Sequence, residues 1–246
     1  DIDVRKSEAF SADDKMRIFE AVEQMEGGFT GVNTVLRRAM TDWLTETLKE
    51  STNDNDISVR TMLDRKLAFG VLMQDQGNYE AARVWLLPML PHAAAEYGER
   101  SIFTGKVYFN LASVLDDLGD YEKALKLYAI CLNIREGALG RKNMDVAETL
   151  NNIGLVHKNM LNYSKADSYY SDALEIYVAA HARQEADDED LDPRLLPRLA
   201  DTYNNLGVVQ KKQANYNRAL HYYQLSLDLR LRVLGSEHPI VAETFY

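Results

Sequence analysis

Cysteine is almost absent from this chain. One thiol, Cys131, stands among 246 residues, so no internal disulfide can form and a reducing compartment suits the protein. Proline occurs five times and glycine thirteen, too sparsely for long irregular segments. No run reaches the roughly 20 apolar residues that cross a bilayer, and no signal-peptide pattern is visible at the start. Positive charge is in deficit as well. Against 38 Asp and Glu there are 28 Lys and Arg, a formal net charge of −10. That balance argues against nucleic acid or an anionic membrane as the main partner. The chain carries no glycine-rich phosphate loop and no nucleophile motif. His92, His157, His181, His221 and His238 lie far apart without metal-ligand spacing. No catalytic residue, metal or cofactor is therefore expected.

What the chain does have is repetition. Asn151-Asn152-Ile153-Gly154-Leu155 is followed by Asn162-Tyr163, Ala166, Tyr169-Tyr170 and Ala173-Leu174. The same text returns as Asn204-Asn205-Leu206-Gly207, Asn215-Tyr216, Ala219, Tyr222-Tyr223 and Ser226-Leu227. Upstream copies run through Asn110-Leu111-Ala112, Tyr121, Ala124, Tyr128 and Leu132, and through Gly70, Tyr79, Ala82 and Leu90. Gly70, Ala112 and Gly154 are 42 residues apart, and Gly207 lies 53 further on, which is one period with an insertion of 11. A fixed period of this size signals stacked helical units, each in contact with its neighbours alone.

The repeats are placed at about 57 to 98, 101 to 140, 142 to 183 and 197 to 235, with a further helix opening at Pro239 over 239 to 246. Residues 1 to 56 are expected to form a helical cap of atypical sequence, with a Ser/Thr/Asn/Asp-rich loop over 50 to 56. The insertion, about 184 to 195, contains Glu185-Ala186-Asp187-Asp188-Glu189-Asp190 and reads as a solvated loop or as an acidic contact for a basic partner. Pro88 falls inside a second helix, where a kink or an early stop is expected. Gly98, Gly140 and Gly235 stand at one phase after each helix pair, as left-handed caps. The chain begins at Asp1 and ends within a new repeat, as expected of a piece of a longer protein.

The repeated letters have packing reasons. Gly154, Gly207, Gly70 and Ala112 on the first helix, and Ala166, Ala219, Ala82 and Ala124 on the second, are small enough to let the two backbones approach. Tyr163, Tyr216, Tyr79 and Tyr121 start the second helix and are expected to cover the turn. Cys131 shares its slot with Ala173 and Ser226 and reads as a small packing residue. His157 reads as a half-buried packing residue.

This pattern resembles the tetratricopeptide repeat family over residues 57 to 246. The 42-residue period, the Asn-Asn-hydrophobic-Gly text, the Leu-Gly turn and His238-Pro239-Ile240-Val241-Ala242-Glu243-Thr244 resemble the kinesin light chain type. The resemblance implies an all-α, right-handed superhelix of antiparallel helix pairs with a concave face that binds extended peptides. On that face the expected stripe is Asn110, Asp116 and Asp117, then Asn151, Asn152 and Lys158, then Asn204, Asn205, Lys211 and Lys212. An amide both donates and accepts, so an asparagine ladder could hold a peptide backbone of any sequence. The competing reading is that the amides bond within the repeat or to water. The stripe turns from acidic to basic along the stack, which favours an acidic ligand over the last two repeats. The expected function is a non-catalytic adaptor or scaffold with a protein or peptide partner, cytoplasmic and linked to the cytoskeleton. Two alternatives stand beside it: a self-assembling structural unit forming homo-oligomers, and a regulatory domain of a larger enzyme or motor.

Overall fold

The computed structural model describes residues 58–187 and 192–234, and among these every regular element is an α-helix. The expected cap over 1 to 56, the Gly235 cap and the helix opening at Pro239 lie outside the described residues. The chain divides into two compact units, 1–85 and 86–246.

In the first unit, α1 (Val59–Asp75) starts at Ser58, whose hydroxyl accepts from the Thr61 N–H at 3.2 Å. This N-cap satisfies one of the donors that a helix start leaves open. Leu63, Phe69 and Met73 form its buried face. Three residues on, α2 (Tyr79–Leu86) returns the chain. Phe69 and Trp85 meet edge to face at 4.9 Å, and Ala82 is fully buried.

The early stop expected at Pro88 is present: the helix ends at Leu86, and a new one begins at Met89. Pro88 has no N–H to continue the ladder, and its φ of −67° suits a helix entry.

The second unit contains α3 (Met89–Tyr97), α4 (Ile102–Asp117), α5 (Tyr121–Leu139), α6 (Met144–Asn159), α7 (Tyr163–Asp187), α8 (Leu195–Lys212) and α9 (Tyr216–Leu234). α4 pairs with α5, α6 with α7 and α8 with α9, and each pair packs on the next through α5 on α6 and α7 on α8. Three-residue turns join each pair, which forces antiparallel neighbours. Ser101 and Asn143 cap α4 and α6 by accepting from Thr104 N and Asp145 N.

At the helix crossings, packing differs from two small residues facing each other. Gly154 lies under the ring of Tyr170, where a Cβ would stand 2.8 Å from Cδ1; Gly207 lies under Tyr223, where the gap would be 2.6 Å. The glycine makes room for an aromatic ring, and the ring fills the joint. Tyr128, Tyr170 and Tyr177 are among the largest fully buried side chains. Ala166, Ala124 and Ala219 are buried as expected. Tyr163 packs on the cluster of Ala166, Tyr170, Leu206 and Val209, whereas Tyr216 is 67% exposed.

Backbone conformation also sorts the turns. Gly98 and Gly140 have positive φ (95° and 83°), but their ψ of 149° and 154° is extended rather than left-handed helical, a region open essentially to glycine alone. Inside the repeats the turn falls at Gly77, Gly119, Leu161 and Ala214, all with φ between 61° and 77°. There the N–H three residues past the helix reaches back, as in Asn162 N to His157 O at 2.8 Å, a Schellman closure.

The insertion is not a plain loop. α7 continues as helix through Asp187, so the first acidic residues sit on a helical extension. Tyr177 and Ala180 of α7 bury in one cluster with Leu195 and Leu199 of α8. Pro197 stands in the first turn of α8 as expected.

Candidate functional site

The expected site residues lie on α4, α6 and α8, the first helices of three successive pairs. Asn110, Asn151, Asn152, Asn204 and Asn205 are all half-buried, neither locked in the core nor freely solvated. Part of their bonding capacity is taken locally. Asn110 Nδ2 donates to Lys106 O at 2.8 Å, and Asn152 Nδ2 donates to Glu148 O at 2.9 Å, each one turn back along its own helix. Asn151 Oδ1 accepts from Thr202 Oγ1 of α8 at 3.3 Å. Each of the first two amides has a second donor hydrogen and a carbonyl oxygen beyond these bonds.

The charged members separate by environment. Asp116 stands beside Asp117 in the expected stripe, yet Asp116 is only 9% exposed. Its Oδ1 accepts from Asn159 Nδ2 at 3.0 Å, which ties α4 to α6. Burial raises its pKa, and the bond from Asn159 works against that shift. Asp116 is thus a joint between repeats. Lys158 is half-buried; burial lowers its pKa while Asp116 opposes the shift. Asp117, Lys211 and Lys212 are exposed. Among the described residues neither Lys211 nor Lys212 makes an ion pair, and both occupy the last turn of α8, where a cation complements the helix dipole.

Several side chains that sequence reasoning passed over carry the strongest polar contacts. Arg135 of α5 is 5% exposed. Its Nη1 donates to Asp145 O at 2.6 Å, Glu148 Oε2 at 3.0 Å and Thr149 Oγ1 at 2.9 Å on α6. The guanidinium also lies 4.4 Å over the Phe109 ring. Arg198 of α8 donates to the other oxygen of Glu148, so one carboxylate bridges three helices. Gln210 Nε2 donates to Asp167 Oδ1 at 2.6 Å across the α7 and α8 joint. Arg230 reaches Asp201 at 2.9 Å. Glu148 and Asp201 are therefore balanced by arginines on neighbouring helices. One signal could have found part of this: Gln210 stands in the slot that His157 occupies one repeat earlier, and such a swap at a joint marks a polar contact.

Among the described residues no three His, Cys, Asp or Glu side chains gather as a metal site. Cys131 is buried, with Sγ 3.9 Å from Thr149 Oγ1, and burial raises its pKa. His157 is 7% exposed and stacks on Tyr169 at 5.4 Å, more deeply placed than expected. Among the described residues no helix is long and apolar enough to cross a membrane.

Family models described as tetratricopeptide repeat match residues 65–136, 110–178 and 199–240, together more than half of the chain. The chain belongs to the tetratricopeptide repeat family. No curated protein sequence matches it. Among solved structures it is similar to BtubC (BKLC) from P. vanneervenii, at 23% identity and a TM-score of 0.63, over 84% of this chain and 78% of that one. It is similar to a kinesin light chain candidate from Podosopora anserina with nearly identical TPR-like repeats, at 14% identity and a TM-score of 0.59, over 77% and 83%. The apo form of RapI aligns at 19% identity and a TM-score of 0.64, over 94% of this chain and 61% of that one. At these identities the likeness establishes the repeat fold. A tetratricopeptide repeat protein of this kind serves as a protein-interaction scaffold module.

Proposed function

We propose that this chain is a non-catalytic adaptor whose 42-residue repeats are of the kinesin light chain type, and that it holds an extended acidic peptide along α4, α6 and α8. The array spans 57 to 246, capped by 1 to 56, and works in the cytoplasm in cytoskeleton-linked transport. One observation carries the reading: Asn110, Asn152 and Asn205 share one phase of successive first helices, Asn151 and Asn204 stand one position before it, and all five are half-buried, Asn110 and Asn152 with hydrogen-bonding capacity beyond their local bonds. Exposed Lys211 and Lys212 then select for acidic residues. Glu148 and Asp201 do not cancel them, because Arg135, Arg198 and Arg230 pair with those carboxylates. Asp116 leaves the proposed contact set, since Asn159 and burial occupy it.

The test is a panel of labelled peptides of equal length and acidic, neutral or basic composition, read by fluorescence anisotropy. Acidic peptides are expected to bind best. Asn152→Ala with Asn205→Ala should weaken all binders by roughly 1–3 kcal/mol. Lys211→Glu with Lys212→Glu should weaken acidic ones selectively, and more so at low salt. If neither pair of changes alters affinity, these first helices are not the binding surface.

Self-assembly is favoured by a different observation. Tyr216 and Leu220, one turn apart on α9, are 67% and 59% exposed. Light scattering decides this: a mass above 28.0 kDa that falls on Tyr216→Ser with Leu220→Ser supports it.

A further inference from the structure

The turns inside three successive helix pairs of the second unit fall in one row. Asn159 Nδ2 of α6 donates to Asp116 Oδ1 of α4 at 3.0 Å, so the turn at 118–120 lies beside the turn at 160–162. Gln210 Nε2 of α8 donates to Asp167 Oδ1 of α7 at 2.6 Å, and Tyr163 packs on the cluster that holds Val209. The turn at 160–162 therefore lies beside the turn at 213–215. The row forms one edge of the stack.

Its middle turn is apolar and strained. Met160 is 42% exposed and Leu161 is 70% exposed. Leu161 holds a φ of 61°, where the preceding turn uses Gly119 at 77°. A Cβ at positive φ carries a steric cost, and a solvated side chain does not offset it. Strain kept at an exposed position points to a surface in use.

The flanking turns carry opposite charge. At the first, Asp117, Asp120 and Glu122 outnumber Lys123, and Asp117 and Glu122 are exposed. At the third, residues 211 to 220 contain Lys211, Lys212 and Arg218 and no acid. All three cations are exposed, and none forms an ion pair among the described residues. An edge that runs acidic, apolar, basic is complementary to itself when reversed.

We propose that this edge is a two-fold interface with a second copy of the chain, with Leu161 at the axis. Met160 and Leu161 meet their counterparts there, and the acidic first turn of each copy faces the basic third turn of the other. An isologous contact makes every such pairing twice. That doubling opposes the general repulsion between two copies of net charge −10. Lys165, exposed in the first turn of α7, has a stem long enough to keep its ammonium in water beside the axis. The inference rests on the self-assembly reading above and gives it a surface and a symmetry.

Light scattering over a concentration series of the 246-residue chain tests this. The parent is expected at twice 28.0 kDa. Leu161→Gly should raise Tm, because it relieves the turn, and yet weaken association by roughly tenfold. A side chain that served folding alone would not move the two readouts in opposite directions. Lys212→Glu with Arg218→Glu should give a monomer, as should Asp117→Lys with Glu122→Lys. Mixing those two variants should restore a dimer, since each reversed turn then faces an opposite one. Leu161→Gly carries the test if a charge reversal fails to fold. A parent that stays at 28.0 kDa removes the self-assembly reading and this interface together. A dimer that survives every edge variant overturns the interface alone. Two monomeric variants that stay apart when mixed refute the two-fold arrangement. Loss of acidic-peptide binding in Leu161→Gly, with the mass unchanged, assigns the edge to a peptide instead.

Discussion

At the scale of single residues, four turn positions do the same job with different side chains. Gly77 and Gly119 adopt positive φ at no steric cost, while Leu161 and Ala214 adopt it against the clash of their Cβ atoms. Leu161 is 70% exposed, so its side chain gains little from packing. Leu161→Gly and Ala214→Gly should each stabilise the chain by up to about 1 kcal/mol, and Gly119→Ala should destabilise it by a similar amount. Thermal melts of the three variants check the order; a loss at both Leu161→Gly and Ala214→Gly would show that strain is not what sets these turns. Gly154 obeys a different constraint. A Cβ there meets the Tyr170 ring at 2.8 Å, and Tyr170 is fully buried, so the ring has nowhere to withdraw. Gly154→Ala should cost about 1–3 kcal/mol, whereas Gly137→Ala, with nothing within 4 Å of its Cβ, should be neutral or stabilising. Equal melting of these two variants would break the link between crossing glycine and tyrosine.

His157 gives the residue scale a pH dependence. Its burial, with Lys165 adding to the effect, lowers its pKa below the ordinary 6.5. The unfolded chain therefore binds a proton that the folded chain resists. The stability tied to its neutral form is full above about 6.5, declines as pH falls below that value, and is exhausted once pH passes the lower folded pKa. His157→Gln places there the side chain that the next repeat already uses at Gln210. The variant should flatten the stability profile in that window, as urea midpoints across the range would show; an unchanged slope would assign it to other groups.

At the scale of elements, the joints between helix pairs carry the specificity. Glu148 is the hub of one, bound by Arg135 from α5 and Arg198 from α8. Removing the carboxylate strands Arg135, which is 5% exposed, and an uncompensated buried charge costs about 3–5 kcal/mol. The exposed Arg83–Glu80 pair in the first unit belongs to the class that contributes at most about 1 kcal/mol. Glu148→Ala should therefore lower stability several times more than Glu80→Ala. Urea melts that place the two variants together would demote Glu148 to a surface contact. The insertion is also an element-scale matter. Its charge run reads as loop by composition, but α7 continues as helix through Asp187.

For the whole molecule, stacking has a consequence for cooperativity. Both tryptophans, Trp43 and Trp85, fall within the first unit, residues 1–85, while most described helices belong to the second. Stability in a repeat array is a sum of local and nearest-neighbour contributions, so units can unfold separately. Tryptophan fluorescence and helix circular dichroism should give different urea midpoints. Coincident curves would show a single cooperative block instead.

The amino-acid sequence by itself determined the class and the phase of this protein. A 42-residue period, with glycine and alanine at fixed places, placed tyrosines at the starts of α2, α5, α7 and α9 and a stop near Pro88, because these are local properties of the backbone and of side-chain size. The candidate asparagine row was legible for the same reason: phase along a helix fixes which residues share a face. Tertiary structure decided what those residues touch. Asp116 became a joint to Asn159 and ceased to resemble Asp117, two arginines converged on Glu148, and the rings of Tyr170 and Tyr223 filled the space above Gly154 and Gly207. Those outcomes depend on residues dozens of positions away in the chain. Only the stacking of one helix pair on the next brings such residues within hydrogen-bonding distance.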